Sequence, residues 1–261
     1  MAKHTDRYNK ENLINIAKQK YETSQRSTLP TEIVHLPSGG KIYPKSSPLS
    51  KGKVEMRYMT AYDEDILTNT SYLQDGVTLD KLLEALIVTD ININDIALVD
   101  KDALIISARI VSYGAKYPVT VVDPKTGNNL NREVNLKSLK YKKFNTESND
   151  NGEITYKLPS GTIIKYTYIS SGDQKSIDET KNISSFLSKI IKQVDDSRDQ
   201  TDIEDFIKYS FLIQDSKNFQ DHVLKNSPGV NFEYEFEGED GGTFSAGFPL
   251  GSDLFWPWCK R

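Results

Sequence analysis

Hydrophobic and polar positions along this chain change period several times, and each change predicts an element. The stretch TEIVHLPSGGKIY, from Thr31 to Tyr43, reads as two β-rich pieces around a Pro-Ser-Gly-Gly turn, a hairpin. Pro44 and Pro48 then mark a loop, and KVEMRYM over residues 53–59 alternates as a strand. Thr60 and Asp63 have capping-box spacing in its acidic variant. They open a helix whose first turn carries Asp63, Glu64 and Asp65, where the helix dipole favours negative charge. Leu79, Leu82, Leu83 and Leu86 predict a second helix after Thr78. A third follows Asp100. Its ALIISARIV is apolar almost all round, the mark of a buried helix, and Gly114 is placed to stop it.

β-type alternation then returns. Tyr117–Val122 predicts a strand, Asp123–Asn128 (DPKTGN) a turn, and Val134–Tyr141 the returning strand. Glu153–Leu158 and Thr162–Ile169 predict two strands joined by Pro159-Ser160-Gly161. A helical block follows over 173–226. It has a stripe of Ile183, Phe186, Leu187, Ile190 and Ile191, and a second capping box of Thr201 with Glu204 ahead of Ile203, Phe206, Ile207 and Phe211. Val230–Phe236, the turn Gly238–Gly242 and Thr243–Phe248 close the chain with β structure. Strands that come in hairpins rather than βαβ crossovers give an α+β class, antiparallel hairpins with helical blocks. The organisation this implies is a polar N-terminal arm over 1–30, a hairpin and helical region over 31–115, and a β-rich region over 116–261 with helices inserted at 173–226. The arm carries Leu13, Ile14, Ile16 and Ala17 on a predicted short helix, a segment suited to ordering against a partner.

Composition removes most chemistries. Lys and Arg number 33 against 37 Asp and Glu, a net charge of −4, so electrostatics give no reason to expect nucleic acid. One cysteine, Cys259, excludes a disulfide framework and any multi-cysteine metal site, and His4, His35 and His222 are scattered. No apolar run approaches the roughly 18 residues of a membrane span, so no membrane partner is expected. The polar start MAKHTDRYNK is unlike a secretory signal, which points to a cytoplasm. The chain has neither GxGxxG nor GxxxxGK[ST] nor GxSxG. The acidic run at 63–65 is explained by a helix N-terminus, and the acidic loop 235–242 lacks EF-hand spacing. The expectation is a protein with no catalytic residues, no cofactor and no metal.

Two turns match each other. Asp123-Pro124-Lys125-Thr126-Gly127 and Gly238-Glu239-Asp240-Gly241-Gly242 occupy the places that Cys-Pro-x-Cys-Gly knuckles take in a zinc ribbon. The four ligand positions are then Asp123, Thr126, Gly238 and Gly241, with no thiolate among them, so they form degenerate knuckles that hold no zinc. The end of the chain, FPLGSDLFWPWCKR, crowds Phe255, Trp256 and Trp258 where chains usually fray. Two readings stand: these rings dock on the chain's own core, or they anchor a partner in the manner of an interface hot spot.

The segment from His35 to Val88 resembles the baseplate hub assembly family of contractile-tailed bacteriophages. The resemblance rests on LPSGG with Tyr43-Pro44, Ser47-Pro48-Leu49, Arg57-Tyr58-Met59-Thr60, the helix start Asp63-Glu64-Asp65-Ile66-Leu67 and the leucine helix at 79–86. Ala108–Gly114, a second LPSG at 158–161, Phe248-Pro249 and Phe255-Trp256-Pro257 extend it over roughly 30–260. Many relatives carry Cys-Pro-x-Cys-Gly in the two turns, and this chain departs by lacking all four cysteines. The resemblance implies a baseplate hub component or hub assembly factor working through protein contacts. Hub and tape-measure proteins would be its partners, with self-association left open. It would act in the host cytoplasm during assembly, with the virion tail baseplate as a destination. The alternatives are a non-enzymatic binding module with a vestigial zinc-ribbon core, in host or nucleic-acid interaction, and a tail hydrolase, for which the sequence supplies no paired carboxylates.

Overall fold

Val34, Val54 and Met56 lie on one face of two short strands, and burying that face brings the strands together. The computed structural model describes residues 29–180, 182–248, 250 and 252–255. In it, β1 (Thr31–His35) pairs antiparallel with β2 (Lys53–Arg57), Val34 opposite Val54. The hairpin expected within Thr31–Tyr43 is therefore corrected: the partner of β1 is β2, and residues 36–52 form a looped-out series of turns. The glycines of this loop permit that path, and the contact of Ser38 with Asp100 selects it. Gly39 and Gly40 both have positive φ (62° and 81°), and a Cβ on Gly52 would stand 2.6 Å from the Gly39 carbonyl oxygen. The loop thus closes backbone against backbone, with Leu36 N–H donating to Gly52 O at 2.9 Å.

A buried carboxylate holds this loop. Asp100 is fully buried in the first turn of α4 (Leu98–Tyr113). It accepts hydrogen bonds from Ser38 N–H (2.8 Å), Ser38 Oγ–H (2.6 Å) and Tyr43 O–H (2.8 Å), while Tyr43 Oη accepts from Ala97 N–H at 3.1 Å. Burial pushes the Asp100 carboxyl up, and the Ser38 and Tyr43 donors work against that rise.

Three helices precede α4: α1 (Ala61–Thr68), α2 (Thr70–Gln74) and α3 (Thr78–Leu86). The capping box of Thr60 and Asp63 is present. Asp63 also receives both terminal nitrogens of Arg57 at 2.7 Å, a fork in which the two side chains are only 4% and 2% exposed. Arg57 Nε donates to Ala85 O at 3.1 Å, so α1, α3 and β2 meet at one guanidinium. On α3, Leu82, Leu83 and Leu86 are buried as predicted, but Leu79 is exposed. Residues 87–89 cover the outer edge of β2, with Val88 N–H on Glu55 O at 2.9 Å. Gly114, at φ 85°, ends α4, where Arg109 donates to Gly114 O (2.6 Å) and Lys116 O (3.1 Å) and so fixes the start of the next strand.

β3 (Lys116–Val122) and β4 (Asn129–Asn135) form a hairpin around the expected turn. The return expected over Val134–Tyr141 starts earlier. NLNREVN is polar enough to hide the strand, yet Leu130 and Val134 bury one face against β3. Beyond it Leu136–Ser138 is a 3₁₀ turn and Tyr141 makes an isolated bridge to Val230. β5 (Ile154–Lys157), β6 (Ile163–Tyr166) and β7 (Ile191–Val194) make a three-stranded antiparallel sheet with β6 central. The helical block is α5 (Ser171–Thr180), α6 (Ile183–Ile190), α7 (Gln200–Asp205), a π-turn at Phe206–Ser210, and α8 (Ile213–Lys225). β7 interrupts it, so Ile191 sits on a strand rather than on the predicted helical stripe. The cap of α7 is Asp199, which accepts from Thr201 N–H at 2.8 Å, and not Thr201 with Glu204. β8 (Glu233–Glu237) and β9 (Thr243–Gly247) form the last hairpin, followed by a 3₁₀ turn at Ser252–Phe255.

Small antiparallel sheets with separate helices make the class α+β, as the sequence predicts. Buried apolar side chains from Val34 to Phe255 form one connected cluster. Where α8 crosses the three-stranded sheet, Tyr166 meets Phe219 edge-on at 5.2 Å and Tyr156 stacks on His222 at 4.2 Å. The N-terminal arm, up to residue 28, lies outside the described residues.

Two outcomes are expected. Asp63→Ala strands the Arg57 guanidinium in the interior and costs about 3–5 kcal/mol, read as a lowered midpoint in urea. Acid acts through Glu153 as well, whose hydrogen bonds from Arg198 hold its carboxyl at about 2 against an ordinary 4.5. A depressed carboxyl stabilises the fold fully above its unfolded value and progressively less as pH falls through its folded value. The melting temperature should therefore fall between pH 4.5 and about 2, and Glu153→Gln should flatten that fall. Asp100, with its raised carboxyl, contributes with the opposite sign.

Candidate interaction surfaces

The two matched turns touch. Asp123 Oδ1 accepts from the amides of Lys125 (2.8 Å) and Thr126 (3.4 Å) in its own turn, and Oδ2 accepts from Glu239 N–H, in the other turn, at 3.1 Å. The Glu239 amide first, and then that of Lys125, holds the Asp123 carboxyl below its ordinary value. Around this bond Lys125 pairs with Asp240 at 2.6 Å, Asn128 Nδ2 donates to Glu239 Oε2 at 3.0 Å, and Arg132 Nε donates to Glu237 O at 2.9 Å. Of the four degenerate knuckle positions, Asp123 and Gly238 are brought together, since a Cβ on Gly238 would lie 3.1 Å from Asp123 Oδ2. Thr126 and Gly241 hydrogen-bond only within their own turns.

These residues do not fit a metal. Both oxygens of Asp123 are taken by backbone amides, and among the described residues no imidazole faces them. Among the described residues no group of three or more His, Cys, Asp or Glu side chains is arranged to hold an ion. The carboxylate joins the two turns directly, the task a metal performs in a ribbon.

Phe255 is 1% exposed and meets Tyr113, near the end of α4, edge-on at 6.2 Å. Tyr113 in turn donates to Glu64 Oε1 at 2.7 Å. Internal docking is what the structure shows for Phe255. Trp256 and Trp258 lie outside the described residues.

Sequence periodicity missed an apolar surface. Ile183 was expected on a buried stripe, yet it is exposed at the start of α6, because that stripe needs only Leu187 and Ile190 to reach the core. Tyr209, Leu212, Ile213 and Leu224 are 70%, 62%, 88% and 75% exposed on the same helical block. Two clefts open there. One, of about 390 Å³, lies between Ile169, Phe186, Ile190, Val223 and Leu224. The other, of about 330 Å³, lies between Ile183, Leu187, Phe211 and Ile213, and Gln220 lines both. Ile183 and Ile213 share one cleft and Leu224 lines the other, and exposed large apolar side chains gathered at clefts are a signature of contact with another macromolecule. The π-turn that carries Tyr209 belongs to a class of distortions common at functional sites. The signal available in the sequence was the pair Leu212-Ile213 at the junction of two helices, where neither residue fits the inward face.

Comparison with protein families finds a match to the family described as T4 bacteriophage base plate protein, over residues 29–243. The chain belongs to this family. It is a phage baseplate structural protein, located with the virion tail baseplate and in contact with other baseplate proteins. Comparisons with curated proteins and with solved structures return no match. Among the described residues no helix is long and apolar enough to cross a membrane.

Two further outcomes follow for this baseplate protein. Chelation with EDTA should leave its melting temperature unchanged, whereas Asp123→Ala should lower it by more than Lys125→Ala does. Phe255→Ala should cost about 3–5 kcal/mol as a cavity beside Tyr113, measured by chemical denaturation.

Proposed function

We propose that this baseplate protein is a hub component or hub assembly factor that acts by presenting surfaces to other proteins and catalyses no reaction. The observation that carries the reading is the exposed apolar face of α6, the π-turn and α8, with its two clefts. Family membership supports it by placing the chain in an assembly of many proteins. The polar residues that are buried support it too. Arg57 with Asp63 and Asp100 with Ser38 and Tyr43 spend their hydrogen bonds on holding elements together. Hub and tape-measure proteins are the partners this reading names. Within it, the paired turns act as a metal-free, ribbon-like clamp that keeps the β3–β4 and β8–β9 hairpins in register.

Co-expression with the other tail-tip proteins, affinity capture on the tagged chain and mass spectrometry test the reading, with purified virions run in parallel. Capture of hub or tape-measure proteins is the expected result. Presence of the chain in virions then marks a hub component, and its absence an assembly factor. Ile213→Asp with Leu224→Asp should abolish capture with little change in melting temperature, since both side chains are exposed. Capture that is indifferent to this double variant would remove the helical face from the reading.

A further inference from the structure

The outward side of α8 reads the same in both directions once the sign of charge is exchanged. At 3.6 residues per turn, Ile213, Lys217, Asp221 and Leu224 fall within about 80° of one another around the helix. Asp215 and Phe219 lie on the other side of α8 and are buried, so this stripe faces away from the core. Its ends are apolar, with Ile213 and Leu224 among the most exposed large hydrophobic residues of the chain. Its middle holds one cation and one anion. Lys217 and Asp221 are exposed, and among the described residues neither forms a salt bridge.

Each end of the stripe borders one of the two clefts. Ile213 lines the smaller with Ile183 and Phe211, and Leu224 lines the larger with Phe186 and Val223. Gln220, between the ends, lines both. At 1.5 Å of rise per residue the two ends stand about 16 Å apart. Both ends therefore offer an apolar projection beside an apolar hollow. That is what a two-fold interface requires, because each patch must fit a copy of itself.

We propose that this face pairs with the same face of a second copy of the chain, the two α8 helices running antiparallel about a two-fold axis that passes beside Asn218 and Phe219. Ile213 of each copy then meets Leu224 of the other at the mouth of the larger cleft, and Leu224 meets Ile213 at the smaller. Lys217 of each copy stands against Asp221 of the other, so the contact contains two equivalent ion pairs. A parallel arrangement would set Lys217 against Lys217 and Asp221 against Asp221, so charge fixes the direction. Burial of the apolar ends supplies the affinity. The order of the residues also selects the occupant. The stripe asks for apolar groups at both ends and, between them, the opposite charges in reversed order, which a second copy carries by identity. The chain's own segment 1–28 does not carry it. Its Leu and Ile residues, Leu13, Ile14 and Ile16, fall within four positions, so they would cover one end of the stripe and leave the other bare.

This inference rests on the reading of the chain as a contact protein and deepens it, the paired molecule being the form that meets the tail proteins. Sedimentation equilibrium of the full-length chain tests it. The expected result is a concentration-dependent balance between the mass of one chain and twice that mass. Ile213→Asp with Leu224→Asp should leave single chains whose melting temperature matches that of the parent at dilutions where the parent is dissociated. Lys217→Asp gathers only carboxylates at the centre of the contact, and Asp221→Lys only ammonium groups. Each should weaken pairing by roughly tenfold or more. An equimolar mixture of these two variants should pair again, because every central contact then joins opposite charges. Direction is read by cross-linking in a Cys259→Ser background: the Ile213→Cys chain should form a disulfide with the Leu224→Cys chain, and neither with itself. Single chains at every concentration overturn the inference. So does pairing that is indifferent to Ile213→Asp with Leu224→Asp, a mixture of the charge variants that stays apart, or a disulfide between two Ile213→Cys chains. If the chain stays single and still captures tail proteins, the self-pairing falls and the contact reading stands. If it pairs and captures none, the pairing stands and the contact reading falls.

Discussion

A carboxylate with no exposure to water sets the terms for much of this structure. Asp100 takes three hydrogen bonds from Ser38 and Tyr43, and each bond ties the loop after β1 to the first turn of α4. A buried charge left without donors is costly, so the loop has one conformation that satisfies it. From that anchor α4 runs as the spine of the fold. Its middle buries Leu104, Ile105, Ile106 and Ala108 in the core. Its end uses Arg109 to hold the chain entering β3, and Tyr113 to seat Phe255. An error at Asp100 would therefore be transmitted to both ends of one helix.

Interior and surface divide the charges by role. Arg57 with Asp63, and Glu153 with Arg198, are forked pairs that join elements distant in sequence or type. Lys137, Lys140, Lys142 and Lys143 are exposed and, among the described residues, form no salt bridge. The apolar residues split in the same way. Leu187 and Ile190 face the core, whereas Ile183, Leu212, Ile213 and Leu224 face outward on the same helical block. Outward placement of that many large apolar side chains costs solubility, and a protein that meets partners has a use for it.

Legibility followed the physics of each signal. The capping box at Thr60, the stop at Gly114 and the turns at 123–128 and 238–242 are written in a few adjacent residues, and all were readable. So was the α+β class, which depends only on hairpin order. The pairing of β1 was misread because glycines at 39 and 40 suit a hairpin turn and a folded loop equally, and the Ser38–Asp100 contact that decides between them spans 62 residues. β4 was placed late because NLNREVN has only two buried positions. β7 was absorbed into a helix because Ile190 and Ile191 continue the helical stripe by composition while the backbone turns between them. At the candidate surfaces, the four knuckle positions were legible as a matched pair of turns, but their direct joining by Asp123 depends on an amide 116 residues away.

The link between the two turns bears on how the chain is made. The β3–β4 hairpin leaves the ribosome well before residues 232–255, which supply Phe248 against Tyr117, Glu239 against Asp123 and Phe255 against Tyr113. During that interval the apolar sides of Tyr117 and Tyr113 await cover that is still being synthesised. Contacts of such long sequence separation form late and slow folding, and they leave a nascent intermediate exposed to wrong association. Residues 232–255 thus act as a timer: the joining of the two hairpins and the cover over Tyr117 and Tyr113 wait until they have been synthesised.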